Sequence, residues 1–429
     1  MKFLDFLKSS PTCYHAVNNL AGMLDKAGFT KLNESEKWDL KAEGKYYFTR
    51  NNSTLFAFTL PKNLDNVAFN ITAAHSDSPT FKLKPNFKLD KGNYAMLNTE
   101  VYGGPIFNTW MDRGLNIAGR VTVKENDSIV SKLISFDKPM VIIPNSPIHY
   151  YPELNTGVKY NPQVDLIPLF SLDTNVSLLT LIAEKLGVKE SDILGHDLFL
   201  AVLDRGMIGG AKDELLMAPQ IDNLECSFAI IDTFIKAKTN DKNINVAVIF
   251  NNEEIGSQTR EGAGSMILAD TLERISESLG KNKEEHLISL SSSFIVSADN
   301  AQGFHPNYPQ NYDPTNAPVL GGGVVIKSAA RGSYSTDGFT LAYFVDLCHN
   351  AKAKYQMNTN RSDKRGGSTL GAISIGKVSI PSVDIGLAQL AMHSSYETAE
   401  VTDFNELEKV LKKFYESKRT LVSDNNFKL

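Results

Sequence analysis

Apolar positions recur with two different periods along this 429-residue chain, and the change of period divides it. In the opening segment, roughly 1–30, Ala16, Leu20, Met23, Leu24 and Ala27 repeat at helical spacing and Gly28 follows, so a helix is predicted there. "KYYFTR", "STLFAFTL" and "NVAFNITAAHSD" then gather aromatic and β-branched residues into short runs, which predicts strands. From about 84 the runs "GRVTVKEN", "SIVSKLISFD" and "PMVIIP" read as short strands with no strong helical pattern between them. Alternation then resumes. "HDLFLAVL", "INVAVIF" and "SSFIVSAD" are predicted strands, separated by helices around Leu224–Lys238 and Gly264–Leu279. Helices alternating with buried strands predict an α/β layer fold whose mixed, mainly parallel sheet is flanked by helices. The economical division is one domain at 1–83 and 204–429, interrupted by a β-rich insert at 84–203. The terminal "ELEKVLKKFYESKRTLV" is an amphipathic helix whose charges read as a solvated face.

Composition narrows the function classes. A hydrophobic share of 42%, a charged share of 22% and a net charge of −5 describe an ordinary globular chain. They provide no basic footprint for nucleic acid. Cys13, Cys226 and Cys348 are far apart and form no CxxC pair, which argues against a disulfide scaffold or a thiolate zinc site. The opening "MKFLDFLKSSPTCYHAV" is interrupted by Asp5 and lacks a small-residue cleavage pattern, so it is a poor secretory signal. No run approaches the ~18 apolar residues that span a bilayer. A cytoplasmic location with no membrane partner is expected.

Acidic and histidine side chains collect where predicted strands end, the position at which open α/β sheets carry reactive groups. His75 and Asp77 close one strand, Glu253 and Glu254 another, and Asp299 a third; Asp222 precedes a helix and His393 lies beside a further apolar segment. Taken singly, each has an ordinary alternative. His75 and Asp77 read equally as a turn histidine with a capping aspartate, Asp222 as a helix cap, and the two glutamates as a solvated pair. Together, His75, Asp222, Glu254, Asp299 and His393 offer two imidazoles and three carboxylates. With one carboxylate bridging, that set suits two divalent ions, zinc first and manganese or cobalt after it. The adjacent glutamates would then divide the work, one on metal and one taking a proton from water. No GxSxG elbow and no Walker-type loop is present.

Seven segments in order, "SPTCYHAV", "AAHSDSP", "YGGPIFNTWMDRGLNIAGRV", "APQIDNLECSF", "FNNEEIGSQTREGAGS", "SADNAQGFHPNY" and "AMHSSYET", make the chain resemble the bacterial branch of the aspartyl aminopeptidases, among the two-metal exopeptidases. The resemblance implies a zinc exopeptidase-like fold. It assigns His75 and Asp299 to one ion, Glu254 and His393 to the other, and Asp222 as the bridge. Glu253 falls at the general base and Asp77 beside His75 as its orienting partner. The insert would be a dimerisation domain within a hollow tetrahedral dodecamer, and His149 in "NSPIHYY" would reach a neighbouring subunit's site. Peptides with N-terminal Asp or Glu are the implied substrates, with Lys327 and Gly367 of "RGGSTLG" contacting them and Gly366 beside Gly367. Arg331 and Arg365 read as surface arginines. A neutral-residue aminopeptidase, an amino-acid deacylase and a non-catalytic assembly protein are the competing readings.

Overall fold

A computed structural model of the chain describes residues 2–65 and 67–428. Met1 and Asn66, the first positions of two predicted segments, lie outside the described residues, as does Leu429.

A nine-stranded mixed sheet forms the centre, in the spatial order 30–31, 45–50, 54–59, 243–250, 68–75, 294–298, 382–386, 324–327 and 355–358. Its four middle strands, Asn243–Phe250, Ala68–His75, Phe294–Ala298 and Ser382–Gly386, run parallel. Both faces of these strands are covered, which explains their near-continuous apolar sequences. Along Asn243–Phe250, Ile244, Val246, Val248 and Phe250 pack in one core, while Ala247 and Ile249 pack in the other. Helix Ile267–Ser278 lies on the first side. Helices Ile221–Lys236 and Asp403–Glu416 lie on the second. The terminal helix buries Phe404, Leu407, Val410, Leu411 and Phe414 and leaves lysines outward, as its amphipathic pattern requires.

Three local expectations are corrected. The opening segment holds two helices, Lys2–Ser9 and Cys13–Lys26, because Pro11 disfavours helical geometry at Ser10. The β-rich region contains a helix, Leu178–Leu186, capped by Ser177 and ended by Gly187 in a left-handed turn. Its first strand, Thr80–Lys91, begins before position 84 and continues through it. Strand Ile193–Val202 pairs with both Thr80–Lys91 and Gly114–Glu125, so six strands close into a barrel with Ser128–Ser135 attached outside. Closure removes most sheet edges. A five-stranded sheet built from 207–209, 215–218, 397–400, 388–390 and 301–302 adds a further layer.

Candidate metal centre

The four parallel strands deliver their carboxyl ends to one place. Ala68–His75 ends on His75, and Phe294–Ala298 is followed at once by Asp299. Asn243–Phe250 leads through a tight turn, with Asn252 at φ 62°, into Glu253 and Glu254. The segment after Ser382–Gly386 brings in His393, itself at φ 68°. Asp222 comes from the start of helix Ile221–Lys236, with non-helical dihedrals at Asp222 and Asn223 and a cis peptide between them.

These side chains converge around Asp222. Its Oδ1 lies 3.6 Å from Nε2 of His75, and its Oδ2 lies 3.6 Å from Nε2 of His393. Asp299 Oδ1 is 3.4 Å from His75 Nε2, and Glu254 Oε2 is 3.5 Å from His393 Nε2. Glu253 is farther out, its Oε2 3.9 Å from His75 Nε2. The Asp222 carboxylate accepts no N–H from its own helix, so capping is not its task here.

A ring of supporting bonds fixes this arrangement. Asp77 accepts the backbone N–H of Glu253 at 3.1 Å, that of Glu254 at 3.2 Å and the Tyr102 hydroxyl at 2.8 Å. Its Oδ1 stands 3.4 Å from Nδ1 of His75. One carboxylate thereby couples the imidazole to the glutamate turn. Glu397 does the equivalent on the other side: it accepts the backbone N–H of Asp222 at 3.0 Å and of His393 at 2.8 Å, and the Gln389 amide at 3.2 Å. Glu397 has no assigned role in the sequence reading, although it lies within "AMHSSYET"; a buried acid four residues after a histidine carries no distinctive signal. The barrel region closes the rim. His393 Nδ1 donates to the Gly104 carbonyl at 3.1 Å, and a Cβ on Gly103 (φ 71°) would stand 3.1 Å from Glu254 Cβ.

So many acids in one buried pit hold on to protons when only protein groups are present. Burial, then Asp222, pushes Glu254 well above the usual carboxylate range, and burial raises Asp222 too. Glu253 rises to about 8 through burial and the charges of Asp299, Asp77 and Asp222, against the opposing pull of His75. Glu397 is likewise raised to about 8, by burial and then by Asp222. Burial disfavours the charged imidazole of His75, but bonds to Asp299 and Asp77 outweigh it and raise its pKa. Asp299 moves the other way, because the Lys327 ammonium offsets its burial.

A divalent cation fits this donor set. Asp222 Oδ1 and Glu254 Oε1 are buried without any hydrogen-bond partner, a costly state for carboxylate oxygens. One ligand atom each from His75, Asp222 and Glu254 lie within 4.8 Å of one another. Mixed imidazole nitrogen and carboxylate oxygen is zinc chemistry.

The remaining predicted residues separate. Lys327 is buried at the end of strand Val324–Lys327, its Nζ donating to the Asp299 carbonyl at 2.7 Å and lying 3.7 Å from Asp299 Oδ2. Gly367 is exposed and lines the same cavity, of about 440 Å³, as Asp222, Glu253, Glu254, Asp299 and His393. Gly366 lines it as well, with the Asn360 amide against the position its Cβ would take. His149 is exposed on a turn and does not line that cavity.

The family model for aminopeptidase I zinc metalloproteases (M18) matches residues 6–415. The chain belongs to this family. It is therefore a zinc-dependent metalloaminopeptidase, a hydrolase. A Clostridium novyi protein named probable M18 family aminopeptidase 2 is 43% identical over 96% of this chain and 98% of its own length. The Dictyostelium discoideum aspartyl aminopeptidase is 35% identical over 97% of this chain and 96% of its own. Among solved structures, a chain in the cryo-EM structure of the Ape4 and Nbr1 complex superposes with a TM-score of 0.94 at 33% identity, covering 96% of this chain and 84% of that one. The S. cerevisiae mApe1 dodecamer gives a TM-score of 0.84 at 28% identity, over 96% and 95%. The α/β architecture is thus that of M18 aminopeptidases. Among the described residues, no helix is long and apolar enough to cross a membrane.

Proposed function

We propose that this aminopeptidase removes single N-terminal residues from peptides, preferring Asp or Glu, at a centre of two divalent ions with Glu253 as general base. The observation that carries the reading is Asp222, whose two oxygens face different imidazoles while Glu253 stands apart. His75 and Asp299 would hold one ion, Glu254 and His393 the other, and Asp222 both; zinc is the first expectation, cobalt or manganese the substitutes. Two ions held there supply Lewis acidity, acidifying water and polarising a peptide carbonyl.

The protein groups perform the rest. Glu253 takes the proton of the attacking water and returns it to the departing amine. Asp77 fixes both the His75 ring and the backbone that carries Glu253. The peptide's free amino group is drawn to the acids of the pit, which limits cleavage to one residue. Lys327 lines the cavity, so its ammonium, shared with Asp299, is a cation offered to an acidic side chain. The likeness to an aspartyl aminopeptidase supports that preference. Gly367 lets the substrate backbone approach closely. The barrel insert pairs subunits of a cytoplasmic dodecamer, an assembly that the likeness to the mApe1 dodecamer supports, and His149 of one subunit donates to the developing oxyanion in the next.

A panel of peptides differing only at the first residue, assayed with added Zn, Co or Mn, tests the reading. Faster release of acidic than neutral residues is expected. Preference for leucine would point to a neutral-residue enzyme, and hydrolysis of acylated amino acids alone to a deacylase. Metal binding without hydrolysis of any of them would leave an assembly protein.

A further inference from the structure

Beside the metal cavity lies a second hollow of about 750 Å³, and the two share residues 359–361 and 364–366 as a common wall. Its charge is the reverse of the pit's. Arg331, Lys364 and Arg365 line it and are exposed, and among the described residues none of the three makes an ion pair or donates a side-chain hydrogen bond. The fourth cation there, Arg361, is bound to Asp363 at 2.8 Å. The one acid in the lining, Asp313, makes no ion pair among the described residues; its Oδ1 accepts from Thr315 and Asn316, and three unpaired cations outnumber its single charge. The hollow is therefore net positive on a chain of net charge −5.

Position gives them a task. A peptide with its first residue at the metal centre must lead the remainder of its chain out of the first cavity. Arg365 and Lys364 line both hollows, whereas Arg331 lines only the outer one. We propose that Arg331, Lys364 and Arg365 form a subsite for a carboxylate on the peptide beyond the scissile bond, so that acidic tails are favoured. The inference rests on the N-terminal cleavage reading of the adjoining cavity. The carboxylate is either an acidic side chain at the second or third position or the C-terminus of a short peptide. Arginine suits either, through its planar pair of donors. Because the cations are solvent-exposed, the effect is modest and screened by salt.

The test compares zinc-loaded wild type with the Arg331→Gln/Lys364→Gln/Arg365→Gln protein. The substrates share their first residue and carry Asp or Asn at the second and third positions, with free or amidated C-termini. Wild type is expected to favour the anionic tails on the order of fivefold in kcat/KM. The preference should reside in KM, fade with added salt and fall to about one in the triple variant. A preference that survives amidation assigns the side-chain carboxylate; one that vanishes assigns the C-terminus. Circular dichroism and the melting temperature establish that the variant is folded, and the three single variants replace it if it is not. Equal use of both tails by wild type would overturn the subsite. So would a folded triple variant that keeps the wild-type tail preference. If no peptide releases its first residue, the parent reading fails instead, which is a distinct outcome.

Discussion

The metal-ligand pit and the basic hollow share a wall but are built by opposite means. In the pit, His75, Asp222 and Glu254 sit at the ends of buried elements, with Asp77 and Glu397 bonded to the backbone behind them. In the hollow, Arg331, Lys364 and Arg365 project from exposed loop, with no such partners. Chemistry needs groups held to a fraction of an ångström, and packed strand ends provide that. Selection among tails needs only charge near a path, which loops can change without unfolding the core. Substitutions in the pit should therefore cost far more than those in the hollow.

The largest effect belongs to Glu253. Glu253→Gln keeps the shape but cannot accept a proton, and turnover should fall by about 10²–10⁴-fold with zinc content nearly intact. Plasma emission spectrometry beside steady-state kinetics checks both. Near-normal turnover at full zinc occupancy would remove Glu253 from the chemistry.

Chelation comes next, and its effect depends on pH. Without cations, the raised carboxylates keep protons that the unfolded chain gives up near 4.5, so these groups destabilise the fold as pH rises from there towards about 8. The raised pKa values of His75 and His393 act in the same direction: their stabilisation is complete below 6.5 and is lost as pH rises through the folded value. Asp299, depressed by Lys327, contributes oppositely, but only in strong acid. Metal binding needs the ionised acids, so the melting-temperature gap between zinc-loaded and chelated protein should widen from pH 5 to pH 8. At a thousandfold excess over Kd the bound ion adds about 4 kcal/mol. A gap that narrows across this range would contradict the buried-acid account.

Much of the pit was legible because its residues end apolar runs: His75, Glu253 and Glu254, and Asp299 each follow a strand readable from the sequence. The parallel central strands followed from the same runs, since burial on both faces leaves little room for polar residues. Other features depended on tertiary contact and left a weaker trace. The break at Pro11 and the helix at Leu178–Leu186 had local signals, a proline and a Ser177 to Gly187 cap pair, that the dominant pattern of each region masked. Barrel closure depends on one strand finding two partners far away in sequence. Glu397 shows the limit most clearly, because its role consists of backbone bonds to Asp222 and His393. Arg331 and Arg365 were readable only as surface arginines, and Lys364 drew no reading, until the fold placed all three around one concavity.

Glu397 supplies the third contrast. Glu397→Gln replaces one acceptor oxygen by a donor that faces a backbone N–H, loosening Asp222 or His393. Zinc affinity by competition with a chromogenic chelator should weaken about 10–100-fold, with the Asp variant recovering part of it. Unchanged affinity would reduce Glu397 to a packing residue.

The smallest effect compares two glycines, one packed against the pit behind Glu254 and one exposed beside the shared wall. Gly103 has φ 71°, and a Cβ there meets Glu254 Cβ at 3.1 Å and Pro79 Cα at 3.4 Å. Gly367 has nothing within 4 Å of its added Cβ. Gly103→Ala should destabilise the fold by about 1–2 kcal/mol, from left-handed strain plus contact, and weaken zinc binding by displacing Glu254. Gly367→Ala should stay within about 0.5 kcal/mol in stability, any functional loss appearing in KM through the substrate path. Denaturant melts of the two proteins, with and without chelator, measure this. If Gly367→Ala destabilised as much as Gly103→Ala, the exposed wall would be as tightly built as the pit, and the division between rigid chemistry and adaptable selection would not hold.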